Sequence, residues 1–211
     1  MSVFDEISEQ VQNGRVKGVK ELVQKAIDDK TDAKEILEKG LLAGMDIIGE
    51  KFRTNEIFVP QVLLAARAMN AGTALLKPFL TRAGVKASGK VVIGTVKGDL
   101  HDIGKNLVKL MMEGKGLEVF DLGANVDPEK YIETAKKEDC DIIAMSALLT
   151  TTMSVMPDVV DAARKAGIRD KVKIMVGGAP ITQAYCERIG ADYYTSDAAS
   201  AADVAARICG S

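Results

Sequence analysis

Asp99, His101 and Gly104 fall in one short polar loop, VKGDLHDIGKN, between a β-branched apolar run beginning at Val91 and an apolar-periodic run that follows. The pattern reads as strand, loop and helix start. In open α/β sheets, such loops at the carboxyl ends of strands are where ligands collect. His101 is the only histidine in the chain. An imidazole in this setting can be a general base, a metal ligand, or a polar residue satisfied by its surroundings. Asp99 stands two residues upstream, so in an extended loop both side chains emerge on one side. A carboxylate beside a ligating imidazole fixes its tautomer and raises its basicity. Gly104 lets a bulky ligand or a turn of backbone come close where a Cβ would intrude. One His with one Asp cannot close a zinc site, which takes three or four protein ligands. A metal held through one protein ligand must bring its own equatorial ligands, as haem and corrins do.

The loop needs elements to hold it, and the rest of the chain supplies two kinds. Residues 1 to 83 read as helices without a strand signal. Val16, Val19, Val23 and Ile27 recur at spacings of three and four, as do Leu37, Leu41, Gly44, Ile48 and Phe52. Asn13-Gly14 and Lys30-Thr31 mark helix ends, Asp32 with Glu35 forms an N-terminal cap, and Pro60 suits the first turn of a last helix. Four helices with short connections form a small bundle. Gly40, Gly44 and Gly72 point either to close helix contacts or to an uncovered surface. Residues 84 to 89, GVKASG, read as the linker, so the expected domains are a helical bundle over 1–87 and an α/β domain over 88–211.

Beyond the linker, strand alternates with helix. VVIGTV precedes a helix from about 104 to 114, LEVFDLG precedes one opened by Pro128, and DIIAMSAL precedes one near 152 to 166. VKIMVGG precedes a helix near 181 to 189, and ADYYTS precedes a last one to Cys209. Five such units imply a doubly wound, five-stranded parallel sheet with right-handed crossovers, in the flavodoxin-like (Rossmann-like) order 2-1-3-4-5. On the same edge as the loop, Ser146 closes the third strand and leads to Leu148 and to Thr150 and Thr152, whose hydroxyls can bond a polar ligand tail. Gly177 and Gly178 close the fourth strand, where absent side chains admit a thick ligand. The bland alternatives are helix caps for the hydroxyls and a plain turn for Gly-Gly.

Composition excludes several function classes. Lys and Arg total 28 against 30 Asp and Glu, and aromatic residues are 4% with no Trp, which argues against nucleic acid as a partner. No apolar run approaches membrane-span length and MSVFDEISEQ is too acidic for a signal peptide, so no membrane partner and a cytoplasmic location are expected. Cys140, Cys186 and Cys209 are odd in number and far apart, which implies small buried or half-buried residues and no disulfide framework. A phosphate-binding P-loop is missing, because Asp99 stands at its first glycine position and Asn106 at its hydroxyl position. A phospho-receiver would need an acceptor Asp where Ser146 stands.

The D-x-H-x-x-G spelled by Asp99, His101 and Gly104, within VKGDLHDIGKN, resembles the cobalamin-binding segment of cobalamin-dependent methionine synthase and of the corrinoid proteins of three-component methyltransferase systems. The resemblance runs from about residue 5 to about residue 209. It implies cobalamin or a related corrinoid as cofactor, with His101 as lower cobalt ligand in place of the cofactor's own base and Asp99 as its partner. Gly98 and Asp102 belong to the same segment. Ser146, Leu148, Thr150, Gly177, Gly178 and Ala198 then match the pocket of the nucleotide tail, and Thr152 matches a serine that helps hold the Asp. GMDIIGEKFRTNEIFVPQVLLAARAM is similar to a capping segment, in which Phe52 and Val59 match residues that shield the methyl group and Glu38 matches one near the corrin. Val59 stands where the methionine synthase pattern has leucine.

The resemblance further implies a methyl carrier that is not catalytic alone, cycling between methylcob(III)alamin and cob(I)alamin. Its partners would be a substrate-specific methyltransferase, a second methyltransferase acting on tetrahydrofolate or a thiol cofactor, and a reductive activation protein. The alternative is a cobalamin-binding regulatory or interaction module without methyl transfer. A mutase would need a barrel that 211 residues cannot hold, and a DNA-binding regulator a basic segment that neither end provides.

Overall fold

The change in hydrophobic pattern near residue 88 divides the chain into two units, Met1–Ala87 with Gly114–Gly116, and Ser88–Glu113 with Leu117–Ser211. The computed structural model describes residues 1 to 210.

The first unit is helical: α1 (Val3–Gln12), α2 (Val16–Asp28), α3 (Ala33–Glu35), α4 (Ala43–Arg53) and α5 (Val59–Arg82). Ser2 caps α1 by accepting from the Asp5 amide at 3.2 Å, while the Asp5 carboxylate accepts from the Ser2 amide at 2.8 Å. Asp32 accepts from the Glu35 amide at 3.0 Å, as the cap in the sequence predicts. Between α3 and α4 the chain runs on as a π-helical stretch, Ile36–Leu42, so the expected third helix is one rod with a wider turn inside it. Periodicity does not reveal such an insertion. Ile7, Val11, Val19, Val23, Leu41, Val62 and Leu76 are fully buried between these helices. A Cβ at Gly72 would lie 2.8 Å from side-chain atoms of Leu41 and Val19, and one at Gly44 would lie 2.9 Å from Val11 Cβ. These glycines therefore serve close helix contact.

The second unit alternates strand and helix: β1 (Lys90–Thr95), α6 (Ile103–Glu113), β2 (Glu118–Asp121), α7 (Pro128–Glu138), β3 (Ile142–Ser146), α8 (Met156–Lys165), β4 (Lys173–Gly177), α9 (Gln183–Ile189), β5 (Tyr193–Tyr194) and α10 (Ala198–Cys209). The strands form one parallel sheet in the order β2-β1-β3-β4-β5, as expected. Helix α6 packs with α10, α7 with α8, and α8 with α9. Val92, Ile143 and Ile174 are fully buried in the sheet, as near-continuous apolar strands covered on both faces should be.

Some boundaries differ from the sequence reading. Helix α9 starts at Gln183 because the Thr182 hydroxyl caps it, accepting from the Tyr185 amide at 3.2 Å. The last strand is shortened to two residues, and α8 is preceded by a 3₁₀ turn, Met153–Val155. Cys140 and Cys186 are buried and Cys209 half-buried, all as free thiols.

For the site, the decisive feature is register. Thr95 pairs with Ser146, and Ser146 pairs with Gly177, so the last residues of β1, β3 and β4 stand in one row. Everything that follows those residues emerges at the same edge.

Candidate functional site

After β1 the backbone bridges once more, Val96 to Val126, and then turns sharply. The Asp99 amide donates to the Val96 carbonyl at 3.1 Å, and Gly98 takes a φ of +83°, a left-handed value that glycine adopts without penalty. This turn sends the Asp99 side chain into the protein, where it is fully buried, and leaves the His101 side chain half exposed.

Five donors meet the Asp99 carboxylate. Oδ1 accepts from the His101 backbone amide at 3.0 Å and lies 2.7 Å from His101 Nδ1. Oδ2 accepts from the Leu148 amide at 2.8 Å, the Leu149 amide at 3.2 Å and the Thr152 hydroxyl at 2.8 Å. Burial alone would raise the pKa of this carboxyl. The hydrogen bonds from the His101 and Leu148 amides, the imidazole and Thr152 outweigh burial and hold it well below the usual carboxylate range. An ionised carboxylate only accepts, so it keeps the imidazole proton on Nδ1 and leaves Nε2 as the lone-pair nitrogen. The Thr95 hydroxyl, itself buried, donates to the His101 carbonyl at 3.0 Å and fixes the third polar group of that residue.

The other residues predicted in this unit fall on the same edge. Asp102 is exposed and opens α6, with its carbonyl and carboxylate accepting from Asn106 at 2.8 and 3.1 Å. Gly104 is exposed, and a Cβ there would meet nothing within 4 Å. Ser146 and Gly177 are neighbours at half-buried strand ends, while Leu148 and Thr150 are exposed. Gly178 has a φ of +132°, and a Cβ there would lie 1.9 Å from the Ala147 carbonyl oxygen, so close backbone approach requires this glycine. Ala198 is buried in the first turn of α10. Glu38, Phe52 and Val59 belong to the helical unit. There Glu38 is exposed in the π-helical stretch, 3.7 Å from Lys34, and the two apolar residues are partly buried.

Sequence reasoning missed several residues that hold the loop. Asn125 accepts from the Gly98 amide at 2.7 Å through its side-chain oxygen and donates its own amide to the Asp99 carbonyl at 2.9 Å. Lys105, in the first turns of α6, is buried and donates to Asp121 Oδ1 at 2.6 Å and to Asn106 Oδ1 at 2.7 Å. The Asp121 carboxyl is held low, because the Lys105 hydrogen bond and the Gly123 amide outweigh the effect of burial. The GKN that follows His101 was a visible signal for Lys105. Asn125 gave none.

The donor set suits a macrocyclic metal cofactor. Among the described residues, no three His, Cys, Asp or Glu side chains cluster as metal ligands. A single imidazole with one free nitrogen therefore fits a metal that carries its own equatorial ring. Around it, Leu100, Ile103 and Leu148 are exposed apolar side chains, and Gly104 leaves open space.

A doubly wound sheet presenting one buttressed imidazole at its carboxyl edge defines a cofactor-binding α/β protein. Two family models, both described as B12 binding domains, match residues 89–205 and 3–77. The chain is 37% identical over 213 residues to a corrinoid protein of Desulfitobacterium hafniense, covering 100% of this chain and 99% of that one. It is 43% identical over 199 residues to dimethylamine corrinoid protein 3 of Methanosarcina acetivorans, covering 94% and 93%. Its structure matches the methanol:cobalamin methyltransferase complex MtaBC of Methanosarcina barkeri with a TM-score of 0.90 and 31% identity, covering 99% of this chain and 80% of that one. The chain belongs to the B12-binding family, among the corrinoid proteins of methyltransferase systems. It binds cobalamin or a related corrinoid. No helix among the described residues is long and apolar enough to cross a membrane.

Proposed function

We propose that this protein is a methyl carrier in which His101 Nε2 is the lower cobalt ligand. The observation that carries the reading is the half-exposed imidazole tied through Nδ1, at 2.7 Å, to a fully buried and ionised Asp99. When bound, the corrinoid supplies cobalt, the atom that takes up and gives up the methyl group.

The chain's own residues then have distinct tasks. Asp99 holds the ring orientation and keeps the proton on Nδ1, so that Nε2 offers its lone pair. The Thr152 hydroxyl and the Leu148 and Leu149 amides keep Asp99 in place. Ser146, Thr150 and Gly177 receive the polar tail of the cofactor at the strand ends. In the helical unit, Phe52 and Val59 are, by the family resemblance, the residues that would shield the methyl group between transfers.

A substrate-specific methyltransferase loads the methyl group. A second methyltransferase removes it to tetrahydrofolate or a thiol, and a reductive activation protein restores chains that become oxidised. The relatives' names, which include methanol and dimethylamine, support a methyltransferase partner, with donor choice residing in that partner.

Electron paramagnetic resonance of the cobalt(II) form tests the ligand. A hyperfine splitting from one histidine nitrogen is expected, and it should vanish in His101→Ala. If wild type lacks the splitting, or the mutant retains it, the ligand assignment is wrong.

A further inference from the structure

We infer that Asn125 is a positioning residue for the cofactor loop: its side-chain oxygen anchors the Gly98 turn from which Asp99 points inward and His101 outward. This inference deepens the ligand reading above and rests on it.

The turn between β1 and α6 has to satisfy two opposite demands within a few residues. Asp99 must enter the protein, and His101 must leave it. Gly98 resolves this with a φ of +83°, but a left-handed glycine is free to adopt other conformations and needs something to hold it. The segment between β2 and α7 provides that hold. It runs beside the turn and bonds to it residue after residue. The Thr95 amide donates to the Gly123 carbonyl at 2.9 Å, and the Val126 amide donates to the Thr95 carbonyl at 3.0 Å. At the turn itself, among the described residues, the ladder is continued by Asn125. Its Oδ1 accepts from the Gly98 amide at 2.7 Å, and its own amide donates to the Asp99 carbonyl at 2.9 Å.

Residue type and backbone agree with this role. Asn125 has a φ of +55°, a conformation that Asn tolerates better than most residues because its short amide can bond locally. A side chain long enough to reach across to Gly98 and a backbone able to sit left-handed are both required, and Asn and Asp are the residues that offer both. Just outside, Lys97 and Asp127 pair at 2.5 Å across the same two segments, but both are well exposed and add little. Asn125 makes no hydrogen bond to the His101 side chain or to the carboxylate of Asp99 among the described residues. It acts through the backbone that aims them.

Two variants test this without changing the backbone conformation. Asn125→Gly keeps the left-handed φ and removes the acceptor, and Asn125→Asp keeps both. Wild type is the reference. In the cofactor-free protein, hydrogen exchange of the Gly98 amide should accelerate at least tenfold in Asn125→Gly and stay near wild type in Asn125→Asp. Amides of β3 such as Ile143 serve as the control for an intact fold. In the reconstituted cobalt(II) protein, Asn125→Gly should show the histidine splitting in only a fraction of molecules and bind the corrinoid roughly tenfold more weakly, the lower end of what supporting residues contribute at metal sites. Asn125→Asp should restore both.

If wild type shows the splitting and Asn125→Gly matches it in splitting, affinity and Gly98 exchange, the positioning role is overturned. If wild type shows no splitting, the ligand reading falls instead. The anchoring role is then decided by Gly98 exchange and corrinoid affinity: it stands if Asn125→Gly alters both and falls if it alters neither or only one.

Discussion

One oxygen of Asp99 serves both the backbone and the ring of His101: Oδ1 accepts the His101 amide at 3.0 Å and faces Nδ1 at 2.7 Å. Its other oxygen is saturated by the loop after β3, through Leu148, Leu149 and Thr152. The carboxylate therefore ties two loops together as well as orienting the imidazole.

Asp99→Asn should destabilise the protein as well as weaken the site. Donors surround both oxygens, so the amide NH2 faces another donor whichever way it is turned. Leaving one or two buried donors unpaired costs about 2–3 kcal/mol. Calorimetry of the cofactor-free mutant should show a clear fall in Tm, and corrinoid affinity should drop by roughly 10–100-fold. A mutant with wild-type Tm would mean that the five-donor arrangement is not maintained in solution.

The ion pair between the buried Lys105 and the partly exposed Asp121 predicts a pH dependence. The Asp121 carboxyl is held below its ordinary value, so its contribution is complete above the unfolded carboxyl value near 4 and is lost as pH falls through the lower folded value. Asp121→Asn leaves Lys105 buried without its counter-charge, at a cost of about 3 kcal/mol at pH 7. Urea unfolding of wild type and mutant should differ by that amount at pH 7 and converge as the pH is taken below about 4. A gap that stays constant down to pH 2 would dissociate Asp121 ionisation from stability.

Two glycines of the site should respond in opposite ways. Gly178→Ala places a Cβ 1.9 Å from the Ala147 carbonyl oxygen at a φ of +132°, so it should cost about 2 kcal/mol or more. Gly104→Ala meets nothing and lies inside α6, so stability should hold or rise by up to about 1 kcal/mol. Any loss of corrinoid binding in Gly104→Ala then reports the space that the ligand itself needs. Equal effects of the two changes on Tm would contradict this division.

As a carrier, the reconstituted chain alone should leave methanol and methylamines untouched on a turnover timescale. Adding a cognate methyltransferase should start transfer from one of them. Under the proposed function the single imidazole serves the cofactor, and activation of the donor resides in the partner. Steady turnover by the homogeneous chain would point to a further catalytic site.

Much of this was legible in the sequence because it depends on spacing. Strand-helix alternation after Val91 implied the parallel sheet, with 2-1-3-4-5 as its common flavodoxin-like order, and the spacing of Asp99 and the sole histidine pointed to the pair that the structure holds at 2.7 Å. Only the family resemblance linked Thr152 to Asp99, and the fold brings its hydroxyl within 2.8 Å of Oδ2. Thr95, Asn125 and the Leu149 amide were not readable. Their contributions come from backbone groups, or from side chains whose partners lie on another loop, and residue type does not encode that proximity. The π-helical turn around Glu38 was equally hidden, since the four-residue step from Leu37 to Leu41 suits a π turn as well as an α turn.

The short outer strand has a consequence for crowding. Strand β5 holds only Tyr193–Tyr194, and at the opposite margin β2 holds four residues beginning with the exposed Glu118. Neither margin offers a long row of free amides and carbonyls for a second chain to extend, so this sheet is a poor template for edge-to-edge aggregation. At high concentration, then, strand addition at the sheet margins should not be the route by which copies of this chain associate.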